Sequence, residues 1–344
     1  MTQINKPTDY FNTVLYTGNS STQNVDVGFA SDWQWIKSRS TTQGHTIYDN
    51  VRGQFKVLNS HLTSAEATET GGFTGMSGNN MQFNGDNGVR GDTNYNGTNY
   101  VAWNWKANGA GSTNYDGSIT STVSANTTAG FSIVSYTGTG ANATVGHGLG
   151  VAPKLLILKS RTRSDGQWTV GSDMLGWSKF LYLDANSAEQ TFNLYQNTAP
   201  TSSVFYLSGD GGVNQSGGNM IGYVFAEKVG YSKFGSYTGG GSSFPFIYTG
   251  FKPAWVMVKV TNDGDNWHII DNKRDSFNTM DSHLFANLNT AETTSSSYNF
   301  DMLSNGFKPR STNNAFNASG KPYIYMAFAE QPLVGTNNIP STAR

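Results

Sequence analysis

Three glutamates recur at one landmark of the chain: Ala65-Glu66, Ala188-Glu189 and Ala291-Glu292. Carboxylates do acid–base chemistry when two of them occupy unlike environments that separate their proton affinities. A position repeated in triplicate offers no such asymmetry. Each glutamate instead stands three residues after Thr63, Asn186 or Asn289, the spacing of a capping box. The expectation is one helical turn at each, with a cap worth about 1 kcal/mol. Three lysines, Lys37, Lys159 and Lys259, also recur, each closing an apolar run. They read as strand ends that blunt a sheet edge. The histidines, at 45, 61, 147, 268 and 283, show no His-x3-His or His-Glu-x2-His spacing. There is no cysteine, so disulfides, thiolate metal sites and a cysteine nucleophile are excluded. A Gly-x-Ser-x-Gly elbow is absent.

Two acidic loops are richer. Asn84-Gly-Asp-Asn-Gly88, with Asp92 and Asn94, and Asn262-Asp-Gly-Asp-Asn266 offer the oxygen ligands that calcium prefers. Asp86, Asp92, Asp263 and Asp265 are therefore the calcium candidates, and ordinary Asx turns are the plainer reading. Trp177, Tyr115, Tyr195 and Phe244 have no counterparts between the repeated landmarks. They are the binding candidates, as sugar platforms or protein anchors, with core or subunit contact the plainer reading. No catalytic residue and no cofactor is assigned.

The elements that must position these residues come in three passes. A Tyr-Thr-Gly turn opens each pass at Tyr16, Tyr136 and Tyr237. The lysine follows after 21, 23 and 22 residues, and the glutamate after 29, 30 and 33 more. An aromatic strand then closes the pass at Trp105, Phe225 and Phe328. The period of about a hundred residues is too long for a propeller blade. It suits a self-contained unit of short strands in two layers. The spacing predicts that Trp35, Ile157 and Met257 occupy equivalent buried strand positions.

Composition agrees. The 344 residues include 40 glycines, only 13% are charged and 13% are aromatic. This favours strands and turns over helices. With a formal net charge of −1 and no basic run, nucleic acid is a poor partner. No stretch approaches a membrane span, and the N-terminus lacks the apolar core of a signal peptide.

Certain strings have a family look. They are Asp116-Gly-Ser-Ile-Thr-Ser-Thr-Val123 and its continuation to Gly140, Val145-Gly-His-Gly-Leu-Gly-Val-Ala-Pro-Lys154, and Ile4-Asn-Lys-Pro-Thr-Asp-Tyr-Phe11. Over essentially the whole chain they resemble uncharacterised bacteriophage proteins, frequent in marine phages and placed among virion or tail-fibre-like products. The resemblance implies a phage particle and brings no catalytic residues with it.

The expected protein is all-β, with three tandem β-sandwich repeats and extended arms. Residues 1–107 form the first repeat with its N-terminal arm, 108–130 a polar linker or arm, 131–229 the second repeat, 230–331 the third and 332–344 a C-terminal arm. The arms are expected to contact surfaces outside their own unit, mostly on other chains. The expected role is a non-enzymatic virion structural protein, an exposed tail or fibre component contributing to host attachment. A capsid decoration or head-fibre protein and a tail-associated glycan-degrading enzyme are the alternatives. Expected partners are other copies of the chain, other virion proteins and a host-surface glycan or protein. The expected location is the virion, assembled in the host cytoplasm.

Overall fold

The lysine-ended runs become the middle strands of three antiparallel sheets. Trp33–Ser38, Leu155–Ser160 and Phe251–Val260 are buried along their whole length, as runs apolar on both faces require. The computed structural model describes residues 3–85, 92–335 and 340–342. On one side of each middle strand lies the closing strand: Asn99–Trp105, Asn219–Phe225 or Pro322–Pro332. The opening strands, Phe11–Thr17, Phe131–Thr137 and Ser232–Thr238, pair beyond these. On the other side lie Thr46–Asp49, Thr169–Ser172 and His268–Asp271. The three sheets thus share a strand order. The register also corresponds: Trp35 faces Trp103, Ile157 faces Tyr223 and Met257 faces Met326.

Side chains alternate across a strand, and both faces of these sheets are used. One face packs against a smaller sheet of its own unit. In the first unit that sheet is Gln23–Asp26, Asn80–Phe83 and Phe73–Ser77. In the second it is Ala143–Gly146 with Val204–Leu207, and in the third Ile247–Tyr248, Gly306–Pro309 and Phe300–Leu303. Ile36, Leu156 and Leu158, and Val256 and Val258 fill these three outer cores.

The other face of every sheet enters one common core. Trp33, Trp35 and Trp105 meet Phe131, Leu155 and Phe225, and both groups meet Trp255, Met257 and Phe328. Trp33 stacks on Tyr223 with ring centroids 4.5 Å apart. Trp105 meets Trp255 edge-on at 5.7 Å, and Phe225 lies 6.1 Å from Phe328. Self-contained sandwiches were the expectation; the structure corrects it. A strand covered on both faces can be read from its sequence, but the cover on one face is supplied by the other two units.

The Tyr-Thr-Gly turns act as a lock at the outer end of each sheet. The tyrosine hydroxyls donate to Thr93 O, Val213 O and Phe316 O at 2.6, 2.6 and 2.8 Å. The next residue is a buried asparagine in each case: Asn94, Asn214 or Asn317. Its side-chain oxygen accepts a backbone N–H from the turn, at Asn19, Thr139 or Gly240. The glycines are obligatory, because a Cβ at Gly18, Gly138 or Gly239 would come within 2.2 Å of a carbonyl oxygen.

Two further expectations change. The stretch 108–130 is not a linker: Ser112–Asn114 and Ser121–Asn126 extend the second unit's sheet, and Ile119 bridges to Val145. Its polar composition suits exposed edge strands, and Ile119 and Val123 supply the buried contacts. The Ala-Glu segments form no helical turn. Among the described residues, helix is confined to Gly211–Asn214 and the single turns Pro7–Asp9 and Ser296–Tyr298. None of these is long enough to cross a membrane. The N-terminal arm does reach beyond its unit, within the same chain: Ile4 N donates to Val229 O at 3.1 Å, and Gln3 Nε2 to Val334 O at 2.8 Å.

Replacing Phe225 or Phe328 with Ala takes a ring from the shared core, with an expected cost of about 3 to 5 kcal/mol. Urea unfolding followed by tryptophan fluorescence should shift as one transition in either variant. Separate transitions for separate units would show that the core is not common to them.

Candidate functional site

The groups singled out for chemistry in triplicate lie at the joints between units. Lys37, Lys159 and Lys259 are within 1% of complete burial, on middle strands and not at an edge. That corrects the edge-blunting expectation, and the reason is hydrogen bonding. The Lys159 ammonium donates across a joint to Thr63 O at 2.7 Å and within its unit to Gly166 O. Lys259 Nζ donates to Asn186 O at 3.3 Å, Val260 O at 2.8 Å and Asp263 O at 3.2 Å. Lys37 Nζ donates to Ser38 O at 2.7 Å. Burial is the main cause that pulls these ammonium groups down, Lys37 to about 7 and Lys159 and Lys259 to about 8.

Each joint repeats the same backbone contacts in a closed circuit. Glu66 N donates to Arg161 O, Glu189 N to Thr261 O and Glu292 N to Arg39 O. A ring nitrogen returns the contact: Trp168 Nε1 to Asn59 O at 2.9 Å, and Trp267 Nε1 to Tyr182 O at 2.8 Å. In the first unit His45 takes this place. Its Nδ1 accepts from Trp35 Nε1 at 2.8 Å, so Nε2 carries the proton toward Phe285 O at 2.8 Å.

The glutamate carboxylates are not caps, which corrects that expectation too. Glu66 takes a two-pronged bond from Arg161 of the second unit, at 2.8 and 2.9 Å, and a third from Arg52 at 3.3 Å. Arg52 in turn bonds Asp49, whose Oδ2 accepts from the Tyr223 hydroxyl at 2.7 Å. A second relay joins the third unit to the first. Arg39 binds Glu292, Arg274 links Glu292 to Asp271, and Trp103 Nε1 donates to Asp271 Oδ2 at 3.0 Å. The remaining joint lacks the relay. Met326 stands at the register of Trp103 and Tyr223. Ser172 and Leu175 replace the Asp–Arg pair, and Thr261 replaces the outer arginine. Donor and acceptor have gone together, so neither is left buried and unpaired. Glu189 pairs with Lys179 of its own unit instead.

The single-copy candidates scatter. Asp86 lies outside the described residues, and Asp92 is half-buried. Asp263 pairs with Lys321 at 2.9 Å. Asp265 accepts from Asn266 N and Asn314 Nδ2 and faces His268 at 3.5 Å. Among the described residues no cluster of three or more His, Cys, Asp or Glu could hold a metal ion. Trp177 and Tyr195 are buried, their rings edge-to-face at 5.7 Å. Phe244 lies under the Arg310 guanidinium, and Tyr115 is exposed.

A different set meets on the second unit. The loop between Lys159 and Trp168 has eight residues, one more than lie between Lys37 and His45 or between Lys259 and Trp267. Lys159 holds it from beneath at Gly166 O, and Ser160 Oγ accepts from Arg163 N at 3.1 Å. Arg163 makes a fork with Asp165 at 2.9 and 3.0 Å. Its guanidinium lies so close over Gly211 that a Cβ there would sit 2.7 Å from it. With Asp210, Gln167, Tyr182, Gln190 and Phe192, this fork lines a cleft of about 440 Å3. Sequence reasoning missed it. The Arg163–Asp165 pair is local, but Gln190, Phe192 and Asp210 are far from it in the chain, and the one available signal was the extra loop residue.

Fold and site together define an all-β protein of three sheets closed around a common core, with an unrepeated polar cleft on the second unit. The chain belongs to the family described as a domain of unknown function, DUF7483, whose model matches residues 6–332. No curated protein matches it.

Two outcomes test the joints. Asp49→Ala takes from the buried Arg52 its nearest carboxylate and from Tyr223 its acceptor, and should cost about 3 to 5 kcal/mol. Asp49→Ser, Arg52→Leu and Tyr223→Met together copy the relay-free joint, and chemical denaturation should find this triple variant more stable than Asp49→Ala alone.

Stability should also rise with pH well beyond neutrality. The unfolded chain binds more protons than the native one between the lowered lysine values and the ordinary 10.5, so unfolding free energy climbs across that window. Burial also holds His45, His61, His147, His268 and His283 below 6.5, so the same sign applies in acid. The buried Tyr136, Tyr223 and Tyr231 and the half-buried Tyr237 are held well above 10.0 and reverse the trend once unfolded tyrosines ionise. Denaturation series across pH should peak between about pH 9 and 10; a peak near pH 6 would show that the lysines are charged at no cost.

Proposed function

We propose that the chain is a non-enzymatic structural component of a bacteriophage particle, an exposed tail or fibre component that contributes to host attachment. One observation carries this reading. Most of the regular charged groups of the chain, Lys159, Lys259, Glu66 and Glu292 with Arg161 and Arg39, are engaged in holding three units against one another. A body stabilised in this way leaves its outer loops and edge strands available for contact. Attachment by such a body gains from copy number, since linked weak sites raise avidity about 10²- to 10⁴-fold over one site. Other copies of the chain and other virion proteins are its partners in this reading, with a host-surface glycan or protein as its target.

A capsid decoration or head-fibre role is the second reading, favoured by the three-way circuit of joints. Three similar units around one centre match the local threefold positions of a capsid shell.

Antibody raised against the purified chain and imaged on intact particles tests both. Label on the tail or fibres, with reduced adsorption to host cells, is the expected result. Label over the shell supports decoration, and particles without label overturn both readings. Host envelope polysaccharide incubated with the protein should stay at full length. Shortened products lost on Asp210→Asn would make the chain an enzyme.

A further inference from the structure

We infer that the cleft on the second unit is a saccharide-binding site, which takes a neutral glycan by its hydroxyls and by one apolar ring face. The inference rests on the attachment reading for its biological sense and on the cleft alone for its chemistry. A sugar ring presents hydroxyls at its edge and C–H groups on its face. A site for it needs paired donors and acceptors beside an aromatic surface.

The cleft has these parts. Arg163 donates Nε and one Nη2 hydrogen to Asp165, which leaves guanidinium donors beside carboxylate acceptors in one plane. Adjacent hydroxyls of a sugar fit such an alternation. Gln167 and Gln190 add amides that can both donate and accept, and Asp210 adds a second carboxylate. Phe192 supplies the face, with 56% of its surface exposed. The fork is held in place beforehand, since Arg163 lies on Gly211 and its loop is fixed by Lys159 and Ser160. Preorganisation of this kind reduces the ordering cost of binding. One arginine against two aspartates leaves the lining net negative, which disfavours uronic acids, sialic acids and phosphates.

The constellation is also absent from the equivalent places of the other units. Counting from the repeated glutamates, Phe192 corresponds to Glu69 and Ser295. The loops after Lys37 and Lys259 carry no Arg-x-Asp. Folding therefore does not require an exposed phenylalanine beside a charged fork, because two units of the same strand order manage without one.

The test is a printed array of neutral and acidic glycans probed with the purified full chain, followed by calorimetry on the best neutral ligand. Wild-type protein should bind at least one neutral glycan. Phe192→Ala and Arg163→Ala should each weaken binding about tenfold or more, as truncation of an anchor does, with the melting temperature unchanged. No neutral glycan bound, binding confined to acidic glycans, or binding undiminished in both variants overturns the inference. The two proposals fail separately. A blank array for a chain that antibody finds on the tail sinks the cleft alone. Neutral-glycan binding by a chain absent from particles upholds the cleft and sinks the attachment reading.

Discussion

Everything in this fold depends on one face of three sheets having no cover except the other two sheets. Each unit closes a small core of its own, yet it leaves Trp33, Leu155 or Trp255 and their neighbours pointing away from that core. Aromatic side chains bury 150–250 Å² each, so an isolated unit would present this surface to water. Apolar patches of that kind are rarely tolerated on a monomer. The closed three-way arrangement is the solution, and it turns three weakly coupled pieces into a body with one centre.

The polar joints follow from that constraint. Apolar packing is not directional, so it sets the association of the sheets without fixing their register. Buried hydrogen bonds and ion pairs do fix it, because a misplaced charge would be left unpaired in a poor solvent for ions. The relays from Tyr223 to Arg161 and from Trp103 to Arg39 give two joints such a definition. The third uses the Lys259 ammonium and the acidic loop at Asp263 instead: Lys259 bonds Asn186 O, and Asp265 N donates to the same carbonyl at 2.9 Å. The loop first noticed for calcium thus does local work at a joint.

Much of the strand plan was legible in the chain, and its limits are instructive. The spacing from tyrosine to lysine to closing aromatic located the strands because middle strands carry their signature on both faces. The same signature says nothing about what covers each face, so the common core was invisible. Lysine is rarely buried, and Lys159 was therefore placed at an edge. Its carbonyl partners, Thr63 O and Gly166 O, come from two separate loops that no local pattern connects. The glutamates matched a cap by spacing alone. The better signal was correlated: Asp49 with Arg52 and Asp271 with Arg274, against Ser172 with Leu175. Polar composition misled at 108–130, where edge strands look like linkers. Trp177 and Tyr195, singled out for binding, are part of the second unit's own core and do not line the cleft.

The unlike chemistry of the three joints bears on how the chain avoids misassembly as it is made. Tandem units of similar sequence are prone to pair out of order, within one chain or between two. Here a wrong pairing would set the Met326 thioether against Asp49, or the Tyr223 hydroxyl against Leu175. The first error takes from Asp49 its tyrosine donor, and the second buries the Tyr223 hydroxyl without its acceptor, at roughly 1 to 3 kcal/mol per group. The single joint without a relay therefore distinguishes the units from one another and gives the ring a fixed order.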